Sequence, residues 1–245
     1  MLRVLKKIDF YLKKKKEVFL IESENKKDFI IDTLANENLI GIDTEFNWRK
    51  TYFPELSLLQ ISTESRIFLI DFLVLKKLNF LKGILENKDK LIIMHSSRSD
   101  ATVLNTNLKI KLKNTFDIQI AEKLISGGDI KNYGSIVLDY FGFKLPKSET
   151  NSNWLKRPLT NRQLEYASDD VNFLIPIYKK QIKKLKKIYK KIEALKISQK
   201  EVELGNQELH ISRVKKLKKA SKDEKAVFLW RENQACKRNL PPSFI

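Results

Sequence analysis

Four carboxylates and one tyrosine have the types and spacing to do chemistry together in this 245-residue chain. They are Asp43 and Glu45 in GIDTEF, Asp100 in HSSRSD, and Tyr166 and Asp170 in YASDD. Residues two apart on a strand, or four apart on a helix, share one face, so each pair points in one direction. A cluster of acids needs positive charge inside it, which divalent metal ions supply. The pattern therefore predicts a metal site that acts on a phosphodiester.

Each of these residues also has a structural interpretation when it is taken alone. D-x-E pairs are common at exposed strand ends, and Asp100 follows an apolar run where it could cap a helix. Tyr166 could simply hydrogen-bond Asp170 at the surface, and Asp169 could equally be the solvated acid. The order and spacing of the complete set favour the catalytic interpretation.

The apolar runs predict the elements that must position these acids. Runs rich in Ile, Leu, Val and Phe predict strands at Val18–Ile21, Leu39–Ile42, Leu56–Ile61, Ile67–Ile70 and Leu91–Met94, with a further short strand in NTFDI. Helical patterns cover Lys26–Leu34, Leu78–Glu86, Asp100–Leu104, Ile118–Ile125 and Tyr133–Phe141. Near-consecutive strands followed by alternating elements indicate an α/β fold with a partly antiparallel sheet.

The second half of the chain is predicted to be largely helical. Thr160 and Gln163 have the spacing of a capping box, so a long helix is expected to begin there. Pro176 is expected to kink or break this helix. The polar segment 148–158 is expected to be an exposed loop, and a further helical region is predicted at about 213–238.

Charge divides the chain into a nearly neutral middle and two strongly basic ends. The net charge is +18; residues 1–16 carry seven basic and one acidic side chains, and residues 181–245 carry eighteen and seven. Such ends suit a polyanionic partner, whose binding should weaken steeply with salt. Solvated helix faces are the alternative for the lysine-rich stretches, and an anionic membrane surface is the alternative for the first 16 residues.

Other properties of the sequence indicate the cellular compartment and exclude some classes of protein. No apolar run approaches the length that spans a bilayer, and the N-terminal segment lacks the apolar stretch and cleavage site of a signal peptide. Cys236 is the only cysteine, which excludes an internal disulfide and a cysteine-built zinc site. We expect a cytoplasmic protein without membrane contact, and the sequence indicates no protein partner.

Longer motifs around the acids resemble ribonuclease D. They are LIGIDTEF, LSLLQIST, LIIMHSSRSD, TFDIQIA, KSETNSNWLKRPLTNRQLEYASDDV and FLIPIY, and they cover roughly residues 17–180. Ribonuclease D belongs to the DEDD superfamily of 3′–5′ exonucleases, whose three motifs are present here in order. The resemblance implies a ribonuclease-H-like (DnaQ-like) mixed sheet flanked by helices, followed here by a helical, basic C-terminal tail.

The resemblance also implies roles for the acids. It places Asp43 and Glu45 in the first motif, Asp100 in the second and Asp170 in the third, as ligands of two divalent ions, Mg²⁺ or Mn²⁺. Tyr166 matches the tyrosine that orients the attacking water in one subclass of the superfamily. The position five before Asp170 is not the histidine of the other subclass. All five side chains are therefore expected to be catalytic.

Four further residues resemble family positions that border the substrate: Phe46, Lys147, Trp154 and Arg157. Phe46 follows the second acid directly and could stack on the terminal base, with core packing as an equal alternative. Lys147 could contact a phosphate as a point charge.

The resemblance continues into part of the C-terminal tail. AVFLWRENQACKRNLPPSFI resembles the opening of an HRDC domain, a helical unit that helps ribonuclease D to hold RNA, and we expect it to be too short to form its own core. We therefore divide the chain into a basic extension (1–16), an exonuclease domain (17–190) and a helical linker with an incomplete HRDC-like segment (191–245).

The expected function is a 3′–5′ exoribonuclease that releases nucleoside 5′-monophosphates, in 3′ trimming of tRNA precursors or other structured RNA. Its partner would be RNA with a free 3′ end. A DNA exonuclease is the first alternative, because nothing derivable from the residues reads a 2′-hydroxyl. A non-catalytic RNA-binding module is the second. Metal dependence distinguishes an enzyme from a binder, and paired RNA and DNA substrates distinguish the two enzymes.

Overall fold

A six-stranded mixed sheet lies at the centre of the protein, in a computed structural model that describes residues 16–146, 149–214, 217 and 219–245. The strands are β1 (Glu17–Ile21), β2 (Leu39–Asn47), β3 (Glu55–Ser62), β4 (Arg66–Asp71), β5 (Leu91–Met94) and β6 (Thr115–Asp117). Their order across the sheet is β1-β4-β3-β2-β5-β6. The pairs β2–β3 and β3–β4 are antiparallel, and the other three pairs are parallel. The predicted α/β fold with a partly antiparallel sheet is confirmed.

Strand β2 extends beyond its apolar run. The run ends at Ile42, but the pairing with β3 continues from Asp43 to Asn47. Strand β3 makes this possible because every residue from Leu56 to Ser62 is buried, so it forms a fixed partner in the middle of the sheet. Sheet context, rather than the hydrophobicity of β2 itself, therefore keeps the acidic end of β2 in a strand.

Helices cover both faces of the sheet. They are α1 (Lys27–Ala35), α2 (Phe72–Leu75), α3 (Lys82–Leu85), α4 (Arg98–Leu108), α5 (Ile118–Ser126), α6 (Tyr133–Phe141), α7 (Asn161–Asn172), α8 (Leu174–Lys187), α9 (Lys191–Gly205), α10 (Leu209–Val214) and α11 (Lys222–Arg238). One apolar cluster joins α1, α3 and α4 to one face, and a second joins α5, α6, α7 and α8 to the other. Helix α9 packs against α4, α5 and β6 at the edge of the sheet. Within the described residues, no helix is long and apolar enough to cross a membrane.

Two predicted helical stretches are divided in the structure. The stretch Leu78–Glu86 divides into a 3₁₀ turn at Asn79–Leu81 and the short α3. The stretch from Thr160 is broken at Phe173, between α7 and α8, as the proline predicts, and Pro176 is the third residue of α8. Proline is tolerated there because the N–H groups of the first turn have no partner within the helix.

The C-terminal helices pack on the loop that follows β2. Tyr52 of this loop is buried and packs with residues of α10 and α11, among them Ala235. The Tyr52 hydroxyl donates a hydrogen bond to Glu232 over 3.0 Å, and Arg213 forms an ion pair with the same carboxylate at 2.8 Å. The tail is thereby attached to the chain that leaves the acidic strand. Its assignment as an incomplete HRDC-like segment and the domain boundary at residue 190 stay predictions.

Helix α9 approaches α4 at Gly205 more closely than a larger residue allows. A Cβ atom on Gly205 would lie 2.3 Å from the carbonyl oxygen of Arg98 and 2.9 Å from the Cβ of Ala101. The Thr102 hydroxyl also donates a hydrogen bond to the Gly205 carbonyl over 2.9 Å. These atoms belong to the start of α4, so the contact fixes the part of the helix that carries Asp100.

Gly205→Ala is expected to lower the free energy of unfolding by about 1–3 kcal/mol, because neither close atom lies at the flexible end of a side chain. Urea unfolding of the variant and the wild type measures the change. Gly83→Ala is the control, since the added Cβ would meet no atom within 4 Å beyond its chain neighbours and the backbone of its own helix. The control should be neutral or stabilising, because Ala is the better helix former. Equal unfolding curves for the two variants would contradict the close packing.

Candidate active site

The polar end of β2 carries Asp43, Thr44 and Glu45. Alternation along the strand sends Asp43 and Glu45 to one face of the sheet, where α7 and α8 pack, and Thr44 to the opposite face. The pairing with β3 shifts register between Glu45 and Phe46. Such a bulge bends the strand and re-aims the side chains beside it, so regular alternation ends directly after the second acid.

Asp100 approaches β2 from helix α4, on the face to which Thr44 points. Its carboxylate is buried and accepts a hydrogen bond from the Thr44 hydroxyl. Asp117 at the end of β6 holds the turn before α4, because its carboxylate accepts hydrogen bonds from the N–H groups of Ser96 (3.1 Å) and Ser97 (2.8 Å). Sequence reasoning missed both Thr44 and Asp117. For Asp117 the available signal was an acid at the end of a short strand, where it also caps α5.

Helix α7 carries Tyr166 and Asp170 one turn apart. The capping box between Thr160 and Gln163 begins this helix, as the sequence predicts. The ring of Trp154, from the segment before the helix, lies 6.0 Å from the ring of Tyr166. The tyrosine is therefore positioned by its helix and by a packed aromatic neighbour.

Tyr133 holds the junction between α7 and α8 beside Asp170. Its hydroxyl donates a hydrogen bond to the carbonyl of Asp169 over 2.9 Å and accepts one from the N–H of Phe173 over 3.2 Å. Burial, and after it the charge of Asp170, raises the pKa of Tyr133 above its ordinary value. Sequence reasoning missed this residue, which belongs to none of the acidic motifs.

The four carboxylates stand in an environment that raises the pKa of each. Burial is the largest cause at all four. The charges of Asp100, Asp170 and Glu45 further raise the pKa of Asp43, and those of Asp170 and Asp100 raise the pKa of Glu45 to about 9. The pKa values of Asp100 and Asp170 rise to about 7. The fold therefore brings together acids that are far apart in the sequence.

No described lysine or arginine forms an ion pair with any of the four carboxylates. In the same part of the chain, no three acidic, histidine or cysteine side chains already stand in a metal-binding arrangement. The donors are nevertheless carboxylate oxygens, the ligands that Mg²⁺ and Mn²⁺ prefer. The set fits divalent ions by charge and donor type, and the carboxylates would have to draw together around them.

Gln60 gives a second observation that fits a polar ligand at this site. It lies directly opposite Asp43 on β3, so the two side chains share a face of the sheet. Its side chain is fully buried, and neither amide atom has a hydrogen-bond partner among the described residues. A buried amide without partners destabilises a fold by roughly 1–3 kcal/mol, which makes an orphan beside the acids informative.

Arg157, predicted to border the substrate, is engaged inside the protein instead. It forms an ion pair with the buried carboxylate of Asp71. It also donates hydrogen bonds to the Ser57 hydroxyl over 3.1 Å and to the Trp154 carbonyl over 2.7 Å. The buried acid requires this partner, and the contacts occupy most of the guanidinium. We therefore replace the predicted substrate contact by a structural role.

The other three predicted substrate contacts differ in their surroundings. Trp154 is only 4% exposed, so it supports Tyr166 rather than offering a surface for a base. Phe46 lies beside the bulge, where part of its ring packs against the first apolar cluster and part stays accessible. Lys147 lies outside the described residues.

Comparisons with known proteins agree with this geometry. A family model described as 3′–5′ exonuclease matches residues 18–186. Ribonuclease D of Desulfotalea psychrophila is 31% identical over 245 residues, which cover 94% of this chain and 64% of the relative. Ribonuclease D of Xanthomonas oryzae pv. oryzae is 38% identical over 146 residues, which cover 60% of this chain and 40% of the relative.

The fold is also similar to that of a solved structure, Escherichia coli RNase D, described as an exoribonuclease involved in structured RNA processing. The TM-score is 0.83 at 26% identity, over 93% of this chain and 63% of that one. The chain thus spans less than two thirds of the length of each of these relatives. The family match runs from β1 nearly to the end of α8 and includes all four carboxylates and Tyr166. By this match the chain belongs to the 3′–5′ exonuclease family.

Proposed function

We propose that this protein is a metal-dependent 3′–5′ exoribonuclease that releases nucleoside 5′-monophosphates from RNA with a free 3′ end. The observation that carries the proposal is the set of four carboxylates on β2, α4 and α7, whose pKa values are raised without a compensating cation. Buried carboxylates that repel one another destabilise the folded protein, so a purely structural role does not explain why they lie together. Membership of the 3′–5′ exonuclease family supports the reaction class.

Asp43, Glu45, Asp100 and Asp170 would hold two divalent ions, Mg²⁺ or Mn²⁺. When bound, such ions polarise the scissile phosphate and activate a water molecule for attack. The carboxylates supply the negative charge that retains the ions. Thr44 keeps Asp100 in position by the hydrogen bond between them.

Tyr166 orients the attacking water and does not take its proton. Burial, and after it the charge of Asp170, raises the pKa of Tyr166 above its ordinary value. The phenol is therefore protonated at neutral pH and acts through hydrogen bonding. Phe46 and Lys147 are the proposed substrate contacts, the first for the terminal base and the second for a phosphate.

RNA is the proposed substrate because the similar Escherichia coli protein is described as an exoribonuclease involved in structured RNA processing. The strongly basic ends of the chain favour the binding of RNA and DNA alike, because both are polyanions. We propose 3′ trimming of tRNA precursors or other structured RNA as the role. A DNA exonuclease and a non-catalytic RNA-binding module are the alternatives.

The test incubates the full chain with 5′-labelled single-stranded RNA and with DNA of the same sequence, in Mg²⁺, Mn²⁺ or EDTA. A ladder that shortens from the 3′ end with metal, faster for RNA than for DNA, is the expected result. Faster shortening of DNA would favour the first alternative. Binding of RNA without shortening in either metal would favour the second and overturn the proposal.

The stability of the metal-free protein is expected to fall as the pH rises. The raised pKa values mean that the folded acids still hold protons after the unfolded chain has released them, so each increase in pH favours unfolding. The window runs from the ordinary values of 3.8 for Asp and 4.5 for Glu to about 7 at Asp100 and Asp170 and about 9 at Glu45. Mg²⁺ favours the deprotonated acids, so its stabilising effect should grow over this window. Melting temperatures with and without Mg²⁺ across the window measure it; a shift that does not change with pH would contradict the assignment.

A further inference from the structure

The turn between α8 and α9 displays an aromatic side chain. Tyr189 is 95% exposed, and its backbone φ is 56°. A bulky residue rarely adopts this left-handed conformation. Two hydrogen bonds close the turn, from the N–H of Tyr189 to the carbonyl oxygen of Lys186 and from the N–H of Lys190 to that of Leu185. The main chain therefore holds the ring out in solvent.

Four lysines flank this ring. Lys186 and Lys187 end α8, Lys190 precedes α9, and Lys191 begins it. Within the described part of the chain, the side chains of these lysines form no ion pair. The positive charge of the turn is therefore available to a polyanion.

The surface around Tyr189 suits a nucleic acid better than a membrane. The apolar side chains of α8, such as Ile177 and Leu185, are buried in the second apolar cluster. Within residues 186–192, all of which the structure describes, the exposed apolar residues besides the tyrosine are Ile188 and Ile192. Membrane-surface helices need a large apolar face, whereas single-stranded nucleic acids need an aromatic ring for a base and cations for the backbone.

The turn lies at the far end of α8 from the acidic site. Helix α8 begins four residues after Asp170, and its 14 residues extend for ~20 Å, at 1.5 Å per residue. A strand stacked at ~3.4 Å per nucleotide needs about six nucleotides to cover that length.

We propose that residues 186–191 form a second RNA-binding site, in which a base stacks on Tyr189 and the four lysines contact backbone phosphates. The site would hold the body of an RNA whose 3′ end enters the acidic site, so this inference rests on the proposed function for its ligand. It predicts that affinity depends on RNA length, since a short RNA cannot reach both sites.

The test measures the binding of fluorescent oligouridylates of about 16 and about 4 nucleotides in EDTA, where no turnover occurs. Tyr189→Asn removes the ring but suits the left-handed backbone, and Tyr189→Phe keeps the ring. Tyr189→Asn should lower the affinity for the longer RNA by about fivefold or more, because one stacked base is lost. Its affinity for the shorter RNA should not change. Tyr189→Phe should bind like the wild type.

A charge-matched pair of variants tests the lysines. The double variant Lys187→Glu with Lys191→Glu should lower the affinity for the longer RNA and make that affinity less dependent on salt. The double variant Lys111→Glu with Lys113→Glu makes the same charge change elsewhere, and it should lower the affinity less. Equal affinity of Tyr189→Asn and the wild type for the longer RNA would overturn the inference. Binding of the lysine variants to anionic lipid vesicles is measured in parallel, and a loss of vesicle binding without a loss of RNA binding would also overturn it. The rate at which the wild-type protein shortens RNA with Mg²⁺ is measured separately. This rate shows whether the proposed function fails, independently of the second RNA-binding site.

Discussion

Asp170→Asn is expected to lower the rate of RNA shortening by about 10³-fold or more while the protein stays folded. Loss of one ligand removes several kcal/mol of the charge stabilisation that divalent ions give to the transition state, and each ~1.4 kcal/mol is a factor of ten in rate. The substitution keeps the size of the side chain and removes only its charge. A gel assay with 5′-labelled RNA under excess enzyme measures the rate.

The same substitution should raise the melting temperature of the metal-free protein at neutral and higher pH. Burial, and after it the charge of Asp169, raises the pKa of Asp170 to about 7. A buried negative charge destabilises the folded protein, so its removal should stabilise the fold. Loss of activity together with a gain of stability is typical of a functional site and would not arise from a structural defect.

Asp169→Asn is the matched control for this variant. It makes the same chemical change at the adjacent position, where burial and the charge of Glu165 raise the pKa to about 6. It should retain most of the activity, because Asp169 is not among the proposed ligands. An inactive Asp169→Asn protein beside an active Asp170→Asn protein would contradict the assignment of the third motif.

Asp71→Ala is expected to lower the free energy of unfolding by about 3–5 kcal/mol. The carboxylate of Asp71 is fully buried, pairs with Arg157, and accepts hydrogen bonds from the N–H groups of Leu73 and Val74 at the start of α2. The substitution leaves Arg157 largely buried without a counter-charge and removes the cap of the helix. Urea unfolding at neutral pH gives the difference.

Glu17→Gln is the control for the ion pair. Glu17 pairs with Arg66 at 3.4 Å, and both side chains are exposed, so its loss should change the free energy of unfolding by less than about 1 kcal/mol. The double variant Asp71→Leu with Arg157→Met should be more stable than Asp71→Ala, because it leaves no charge unpaired. If Asp71→Ala were as mild as Glu17→Gln, the structural role of Arg157 would be wrong.

Local pattern was sufficient to predict the sheet and most helices. The bounds predicted from the apolar runs of β1, β3, β4 and β5 agree with those of the observed strands within one residue. Strands that are buried on both faces consist largely of consecutive apolar residues, so the runs mark their ends. The capping box at Thr160 likewise depends on residues three apart and was confirmed. The acids of the candidate site were identified from the order and spacing of the complete set and from the motifs around them, since each acid taken alone also has a structural interpretation.

Contacts between distant segments were not predictable in the same way. Arg157 and Asp71 are 86 residues apart, and Tyr52 and Glu232 are 180 apart. Nothing in the local sequence of either partner indicates the other, and the family resemblance alone implies a substrate contact for Arg157. Tyr133 and Asp117 were missed for a related reason: their hydrogen bonds position the acids, but backbone partners leave no pattern in the sequence, and the place of Asp117 at the end of a short strand does not reveal which N–H groups it binds.

The most direct test of the central claim follows the oxygen atom of water into the product. RNA is shortened by the wild-type protein with Mg²⁺ in water enriched in heavy oxygen, and the released mononucleotides are analysed by mass spectrometry. If carboxylate-held ions direct water at the phosphorus, the bond to the 3′ oxygen breaks, that oxygen stays on the shortened RNA as a hydroxyl, and each nucleoside 5′-monophosphate carries one heavy oxygen on its phosphate. Products with 3′-phosphate or cyclic phosphate ends, or 5′-monophosphates without heavy oxygen, would contradict the account.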